Sequence, residues 1–419
     1  MEQKQKAIIA GININNNKDF DNSMIELKNL AAACDIDVVG EITQKSDRIY
    51  NAHYFGKGKV EELKVFMHEI QSDMVIFDDE LSPSQIRNLE AMLDCRVIDR
   101  TVLILDIFAI RAKTKEAQLQ VEMAKLQYML PRLSGLGDSV GHQGGGEGFI
   151  NRGSGETKLE LDRRRILERI SILQKELDGL VVKRQNLRNK RKKVEIPVVA
   201  LVGYTNAGKS TIMNAMLDIS HKAIEKQVFE KDMLFATLDT SVRNIKLPNN
   251  KSFLLTDTVG FISKLPHQLV KAFRSTLEEA LEADMLIHVV DYSNPDYKKQ
   301  IDITNETLKE IGVKDIPIIY AYNKIDLAEE NTKPEDDNSV YISAKKGIGL
   351  ENLISVIEKK VLTHYIQCIM HIPYGREDIL SYLYDNASIK STSYEENGII
   401  VSLECMEADY KRYQQYITN

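Results

Sequence analysis

The feature that most constrains the fold is a glycine-rich turn between an apolar run and a helical pattern, in "VVALVGYTNAGKSTIMNAM". Residues 203–210 of this stretch match GxxxxGK[ST]. In that pattern the glycines let successive backbone N–H groups surround phosphate oxygens, the lysine reaches the β- and γ-phosphates, and the hydroxyl residue binds Mg²⁺. Here those two side chains are Lys209 and Ser210. The turn therefore predicts a phosphate-binding strand–loop–helix unit of an α/β domain.

Three further motifs follow in chain order, and each comes directly after a β-rich run. They are DTVG at 257–260, NKID at 323–326 and SAK at 343–345. In open parallel sheets, ligands bind beyond the carboxyl ends of the strands. The Asp326 carboxylate can accept hydrogen bonds from N1–H and the 2-amino group of guanine, whereas adenine would leave this acceptor unpaired. The four motifs together predict a domain that binds GTP and GDP.

The predicted nucleotide contacts fall into five short segments. They are Gly203, Tyr204, Thr205, Asn206, Ala207, Gly208, Lys209, Ser210 and Thr211; Phe235, Ala236, Thr237, Leu238 and Asp239; Asp257, Thr258, Val259 and Gly260; Asn323, Lys324, Ile325 and Asp326; and Ser343, Ala344 and Lys345. The predicted Mg²⁺ ligands are Ser210 and Thr237 directly and Asp257 through water. Thr237 lies in "MLFATLDTSVR", a segment expected to close over the γ-phosphate. The alternative for Thr237 is a structural threonine in a strand.

The predicted catalytic groups are Lys209, Thr237, Asn206 and the Gly260 amide. Many GTPases place a glutamine after the glycine of DxxG to orient the attacking water. Here that position is Phe261, so we expect slow intrinsic hydrolysis that rests on electrostatic stabilisation and water positioning. Asn206 resembles the asparagine of GTPases that use bound K⁺ in place of an arginine finger. The alternative for Asn206 is local stabilisation of the loop.

The predicted fold class is α/β with four parts, in a chain of 419 residues that is long enough for several domains. Residues 1–112 alternate β-rich runs with helical segments, which predicts a βαβ, Rossmann-like domain. Residues 113–193 predict an antiparallel helical hairpin around a glycine-rich loop at 133–156. Residues 194–363 predict a doubly wound GTP-binding domain, and 364–419 a small α+β domain.

Apolar residues at coiled-coil spacing support the hairpin. They are Ile166, Ile170, Leu173, Leu177 and Leu180. The second helix ends in "KRQNLRNKRKK" at 183–193, the densest positive stretch of a chain whose net charge is −7. An acidic chain with one basic segment is not a general polyanion binder, so any contact with nucleic acid is expected to be local.

The cysteines and the hydropathy constrain the compartment. Four scattered cysteines, with no CxxC pair, argue against a disulfide framework or a structural zinc site. No apolar run approaches the ~18 residues of a membrane-spanning helix. We therefore expect a cytoplasmic protein without stable membrane insertion.

Longer motifs outside the phosphate loop make the chain resemble the HflX family of ribosome-associated translational GTPases over nearly its whole length. These motifs are "YFGKGKVEEL", "FDDELSPSQIRNLE", "VIDRTVLILDIFAIRA", "LQVEMAKLQYMLPRL" and "RGSGETKLELDRRRI". The chain departs from the usual family pattern at Val102, Ser154 and Thr240, none of which is a predicted phosphate or Mg²⁺ ligand.

This resemblance implies a monomer that binds the large ribosomal subunit and splits stalled or idle ribosomes, in stress response or antibiotic tolerance. It implies that the glycine-rich loop 133–156 and the basic stretch 183–193 contact ribosomal RNA. One alternative is a factor for RNA remodelling or subunit assembly whose binding is gated by GTP. Another is an ATP-dependent RNA activity in the N-terminal domain, where "GKGK" at 56–59 suggests a second nucleotide site but lacks the full cradle pattern.

Overall fold

The structure is a computed structural model. It describes residues 4–133, 152–192, 196–220, 241–266, 269, 279–328 and 336–418, and the side chains of the long helix at 152–192 only between residues 160 and 182. The chain divides into two compact units, and segment Ile262–Ser275 belongs to the first of them although its neighbours in sequence belong to the second.

The first unit contains a four-stranded parallel sheet with helices between its strands. Its elements are β1 (Lys6–Ile14), α1 (Phe20–Ala33), β2 (Asp37–Ser46), α2 (Lys57–Ile70), β3 (Met74–Phe77), α3 (Pro83–Leu93), β4 (Arg96–Asp99) and α4 (Arg100–Arg111). The strand order is β2-β1-β3-β4, and every pairing is parallel. This confirms the predicted βαβ domain. The direction of strand addition reverses between β1 and β3, which is where open parallel sheets usually bind ligands.

Local sequence explains where α3 begins. Ser82 accepts a hydrogen bond from the Gln85 backbone N–H, and the Gln85 side chain accepts one from the Ser82 N–H. Pro83 occupies the first helical position, where a missing N–H costs nothing. A capping box of this kind satisfies two backbone donors that the helix itself leaves unpaired.

Two long helices follow, α5 (Lys115–Leu133) and α6 (Arg152–Lys192), and α6 belongs to the first unit up to Leu187. Leu119 and Met123 of α5 pack against Leu173 and Leu177 of α6 in a buried seam. Ion pairs join Lys115 to Glu176 and Glu122 to Arg169, so early residues of α5 meet late residues of α6. This pairing confirms an antiparallel hairpin.

The second unit contains a six-stranded sheet with helices. Its elements are β5 (Val198–Gly203), α7 (Lys209–Ile219), β6 (Ser241–Lys246), β7 (Ser252–Asp257), β8 (Met285–Asp291), α8 (Tyr297–Ile311), β9 (Ile318–Asn323), β10 (Ser339–Tyr341) and α9 (Leu350–Val361). The strand order is β10-β9-β8-β5-β7-β6, with only β6 antiparallel among these strands. Apolar residues of the strands form one core with α7 and α9. Tyr297 and Ile301 of α8 pack in a separate cluster with Val290 and Tyr322, which confirms the doubly wound class.

A smaller antiparallel sheet follows in the same unit, from β11 (Tyr365–Ile372), α10 (Glu377–Asn386), β12 (Ser388–Glu395), β13 (Gly398–Met406), α11 (Glu407–Arg412) and β14 (Ile417–Thr418). Its strand order is β12-β13-β11-β14. Apolar side chains of β11 and β13 alternate inward against α10 and form a separate core. The predicted small α+β domain is therefore confirmed. Within the described residues, no helix is both long enough and apolar enough to span a bilayer.

Candidate nucleotide-binding site

The phosphate loop joins β5 to α7. Gly208 has φ +100°, and a Cβ at this position would lie 2.2 Å from Asn323 Nδ2, so only glycine fits. The adjoining Lys209 begins α7 and is 7% exposed. Its Nζ donates to the backbone oxygens of Gly203 at 3.1 Å and Tyr204 at 2.8 Å. The loop is thus a closed turn with its ammonium group pointing inward, as a phosphate cradle requires.

Asn206 has a left-handed backbone, with φ +61°, and its side chain is exposed. Asparagine tolerates this conformation better than most residues, which is a local reason for its presence. Its involvement with K⁺ stays a prediction.

The predicted Mg²⁺ ligands Ser210 and Asp257 lie side by side. Ser210 Oγ donates to Asp257 Oδ2 at 2.8 Å, and Asp257 is fully buried at the end of β7. Oxygen ligands on neighbouring carboxylate and hydroxyl groups suit a hard divalent cation. The next residue, Thr258, donates from Oγ1 to the Leu201 carbonyl at 2.6 Å and so points into the sheet. The Thr258 side chain holds the strand end in place. Ser210 and Asp257 are therefore the neighbouring side chains whose oxygens suit a Mg²⁺ ion.

The segment around Gly260 packs against the phosphate loop. A Cβ at Gly260 would lie 2.9 Å from both Lys209 Nζ and Thr205 Cα. Phe261 N–H donates to the Gly203 carbonyl at 3.1 Å, and the Phe261 carbonyl accepts from Thr205 N–H at 2.8 Å. Phe261 is 2% exposed. Its backbone bonds therefore fix the end of the DTVG motif beside the phosphate loop, and its ring points into the protein.

Asn323 links the phosphate loop to the loop after β10. Its Nδ2 donates to the Ala207 carbonyl at 2.9 Å, and its Oδ1 accepts from Ala344 N–H at 3.0 Å. The residue is 3% exposed, so both bonds form away from water, where an unpaired amide would be costly. This side chain therefore fixes the positions of two predicted contact segments at once.

The pKa of the Asp326 carboxyl is held below its usual value, chiefly by the Ser343 hydroxyl and further by Lys346. Lys346 Nζ lies 3.4 Å from its Oδ2. The carboxylate is therefore ionised at neutral pH and able to accept hydrogen bonds from the N–H groups of a nucleobase. Ser343 reaches this position because its own N–H donates to the Ile348 carbonyl and closes a tight turn.

The sequence motifs missed Asp291, the last residue of β8. Lys324 Nζ forms an ion pair with Asp291 Oδ2 at 2.7 Å, and the two strand ends are paired in register. Lys324 has a left-handed backbone, with φ +64°, which this contact helps to hold. The sequence indicates this position through the aspartate that ends the apolar run "MLIHVVD". It is the same signal that identified Asp257.

The segment 235–239, with Thr237, lies outside the described residues, as do residues 134–151 of the predicted glycine-rich loop 133–156 and the side chains of 183–193. The ends of that predicted loop are helical, because α5 extends to Leu133 and α6 begins at Arg152. The roles predicted for those residues stay predictions. The "GKGK" stretch is described: Gly56 precedes α2, and Gly58 lies inside that helix with open space around its Cβ position. This stretch begins a helix and does not form a closed glycine turn.

The burial of Lys209 predicts a pH dependence for nucleotide binding. Burial lowers the pKa of its ammonium group from 10.5 to about 8. A bound polyphosphate favours the charged form and raises this pKa, so binding takes up a proton above pH 8 but not well below it. We therefore expect the affinity for GDP to fall severalfold between pH 7.5 and 8.8. Calorimetry in two buffers of different ionisation enthalpy would measure the number of protons taken up on GDP binding. The same number at both pH values would contradict a role for Lys209 in this pH dependence.

Comparisons with known proteins identify the family. Four family models match consecutive parts of the chain: "GTP-binding GTPase N-terminal" at 21–109, "GTP-binding GTPase Middle Region" at 111–191, "50S ribosome-binding GTPase" at 198–324 and "HflX C-terminal domain" at 328–414. The GTPase HflX of Caldanaerobacter subterraneus is 45% identical over 99% of this chain and 94% of its own length. That of Escherichia coli is 36% identical over 94% of this chain and 92% of its own.

Among solved structures, a GTP-binding protein from the archaeon Sulfolobus solfataricus in complex with GDP is 25% identical, with a TM-score of 0.45. The match covers 85% of this chain and 98% of that one. The family models together with near-full-length identity to the curated relatives decide the assignment. The chain therefore belongs to the HflX family and is a GTPase.

Proposed function

We propose that this GTPase binds the large ribosomal subunit in its GTP state and splits stalled or idle ribosomes into subunits, in stress response or antibiotic tolerance. The observation that carries the proposal is the match of residues 198–324 to a model described as a 50S ribosome-binding GTPase. The nucleotide site supplies the switch, because the Gly260 amide and the phosphate loop are adjacent and both can contact a γ-phosphate.

Mg²⁺ is part of the proposal and is held by Ser210 directly and by Asp257 through water. The ion would neutralise charge that develops on the phosphates. Lys209 would bind the same phosphates, and Thr237 would join the Mg²⁺ ligands only in the triphosphate state. The described residues offer no general base at the Gly260 segment, where Phe261 is buried. Hydrolysis then depends on positioned water and electrostatic stabilisation, and K⁺ beside Asn206 is one source of the latter.

The hairpin is the proposed contact with ribosomal RNA. Helix α6 has 41 residues, which corresponds to about 60 Å. Its described part carries Arg164 and Arg165, whose side chains are 75% and 77% exposed. Such cations suit a phosphate backbone, whose contribution to binding falls steeply with salt. We propose that the loop 133–156 and the stretch 183–193, at the two ends of the helix, also contact ribosomal RNA.

Sucrose-gradient sedimentation of purified 70S ribosomes tests the function. With this protein and a non-hydrolysable GTP analogue, we expect the 70S peak to shift to free subunits, and with GDP we expect no shift. Lys209→Ala should abolish the shift because the phosphates lose their buried cation. Combined alanine substitution of Arg163, Arg164 and Arg165 should weaken subunit binding while leaving GTPase activity without ribosomes unchanged.

The outcomes separate the alternatives. An unchanged 70S peak contradicts splitting. Co-sedimentation with free large subunits, without any loss of 70S ribosomes, favours a factor for RNA remodelling or assembly. RNA-stimulated ATPase activity that survives Lys209→Ala would place an ATP-dependent activity in the N-terminal domain.

A further inference from the structure

An ion pair joins the carboxyl ends of β8 and β9, two neighbouring parallel strands of the second unit. Lys324 Nζ lies 2.7 Å from Asp291 Oδ2. Asp291 ends β8 and is paired in register with Asn323, which ends β9, and the Tyr292 N–H donates to the Asn323 carbonyl at 2.9 Å. Lys324 is the next residue along the chain. The pair therefore lies at the edge where open parallel sheets bind ligands.

The Asp291 carboxylate is also held on the side away from the lysine. Its Oδ1 accepts hydrogen bonds from the Ser293 N–H at 3.1 Å and from Ser293 Oγ at 2.6 Å. The Asn294 N–H donates to the Asp291 carbonyl at 3.2 Å and closes the turn after β8. Each carboxylate oxygen thus has a defined partner, because Oδ1 is fixed by the turn and Oδ2 faces Lys324. Such bonds orient a side chain before any ligand binds.

Buried aromatic rings support the backbone on both sides of the ion pair. Tyr292 is 4% exposed, and its ring packs edge-on against that of Tyr322, with centroids 5.5 Å apart. Tyr297 of α8 contacts both rings. Tyr292 adjoins Asp291, and Tyr322 lies two residues before Lys324, so both partners are attached to packed chain. Asp291 is consequently a fixed partner for a side chain that is flexible by nature.

Lys324 leaves the strand end in an unusual direction. Its φ is +64°, a left-handed value that few residues with a Cβ adopt. Its methylene groups run from the end of β9 toward Asp291 at the end of β8, and its side chain is 22% exposed. A lysine whose charge is held in this way presents the apolar part of its side chain as a surface. Asp291 therefore decides where that surface lies.

The proposed acceptor for the edge of guanine, Asp326, follows two residues later. Asn323, on the other side of Lys324, is bonded to the phosphate loop and to the Ala344 N–H. A flat base bound by its edge still has two apolar faces, and covering them contributes to binding. The methylene groups of Lys324 lie between these two fixed residues in sequence, which makes them the candidate cover for one face.

We propose that Asp291 is a positioning residue for the purine base: by holding the Lys324 ammonium group, it keeps the methylene groups of Lys324 against one face of the base whose edge Asp326 binds. The ligand is a purine nucleotide, and this contact does not depend on the substituents at the edge of the base. The proposal rests on GTP and GDP binding and not on ribosome splitting. It is tested with purified protein without ribosomes, where failure of the splitting proposal has no bearing on it.

The first variant is Asp291→Asn, which keeps the shape of the side chain and its acceptor for Ser293 but removes the charge that faces Lys324. The nucleotide must then order the lysine itself, which weakens binding. We expect KM for GTP and Kd for GDP to rise together by about tenfold with kcat unchanged, because a contact with the base is equally strong before and in the transition state. Asp291→Glu should recover part of the affinity, since the carboxylate returns.

Glu404→Gln is the matched control. Glu404 pairs with Lys251 at 2.6 Å, and the two side chains are 19% and 14% exposed, against 16% and 22% for Asp291 and Lys324. This second ion pair lies in the same unit and outside the predicted nucleotide contacts. The control should have the KM and the GDP affinity of the wild type.

Inosine diphosphate distinguishes the face of the base from its edge, because it keeps the purine rings and lacks the 2-amino group. Asp291→Asn should weaken binding of GDP and of inosine diphosphate by the same factor, whereas an effect transmitted through Asp326 would cost GDP more. In the Lys324→Met background, Asp291→Asn should cause no further loss, because no ammonium group remains to be held.

Should Asp291→Asn unfold at the assay temperature, Ser293→Ala carries the test. It removes one hydrogen bond to Asp291 Oδ1 and keeps the charge, so we expect a smaller rise in KM, again with kcat unchanged. Wild-type KM and GDP affinity in the folded variant, a fall in kcat, an equal loss in Glu404→Gln, or unequal losses for GDP and inosine diphosphate would each overturn the proposal.

Discussion

Replacing Asp326 by asparagine is expected to weaken GTP binding on the order of a hundredfold or more and to improve binding of xanthosine triphosphate. The native carboxylate is ionised, as its lowered pKa indicates, and would accept hydrogen bonds from the donors on guanine. An asparagine amide places one N–H donor opposite the N1–H and 2-amino donors of guanine. Because two donors cannot bond to each other, the protein and the base both lose a hydrogen bond. Xanthine carries an oxygen where guanine has its amino group, and this oxygen accepts a hydrogen bond from the asparagine amide. Fluorescence titration with both nucleotides would measure the change.

The matched control is Asp315→Asn, the same chemical change at an exposed loop residue of the same unit. Asp315 has φ +58°, a value that asparagine tolerates equally well. This control should bind GTP as the wild type does. Equal affinities of Asp326→Asn for GTP and xanthosine triphosphate, with both near wild type, would remove Asp326 from base recognition.

Gly260→Ala should slow GTP hydrolysis by about a hundredfold while changing GDP affinity only a few-fold. The added Cβ would lie 2.8 Å from Thr205 Cγ2 and 2.9 Å from Thr205 Cα and Lys209 Nζ. Because one of these atoms belongs to the backbone of the phosphate loop, the Gly260 segment must move outward. Its amide would then lose the direction toward the γ-phosphate that we propose for it, whereas GDP lacks that phosphate. Single-turnover GTPase assays and GDP titration separate the two effects.

Gly179→Ala is the control for this substitution. Gly179 lies inside α6 with nothing within 4 Å of its Cβ position, so alanine fits there. An alanine in a helix interior stabilises the helix by about 0.5–1 kcal/mol relative to glycine. Intrinsic GTPase activity should stay at the wild-type level in this control. If Gly260→Ala hydrolysed GTP as fast as Gly179→Ala, the close packing at Gly260 would have no role in the reaction.

The grouping of the candidate nucleotide-site residues was predictable because they sit in short motifs at strand ends. Parallel strands end at one edge of a sheet, so Ser210, Asp257 and Asn323 had to lie near one another once the strands were recognised. The capping hydroxyl of Ser82 and the coiled-coil spacing of the hairpin are local patterns of the same kind. In each case the physical cause lies within a few residues of the signal.

Contacts between distant segments were not predictable in this way. Lys264 donates a hydrogen bond to Asp78, 186 positions away, and neither has a neighbour in sequence that indicates its partner. "FDDELSP" and "VIDRTVL" were informative only as family motifs, although they carry Asp78 and its other partner, Arg100. The bonds of Phe261 to the phosphate loop are formed by backbone atoms, which every residue type possesses. Such features appear only when the packing of the chain is known.

The inward orientation of Phe261 limits how this enzyme could be made faster. A glutamine at this position, as in many other GTPases, would place its amide in a buried site, because Phe261 is 2% exposed. A glutamine side chain directed inward as Phe261 is would not orient an attacking water, and burying its amide would cost free energy unless it found hydrogen-bond partners. A group that orients the attacking water would then have to come from another strand of this protein or from a bound partner.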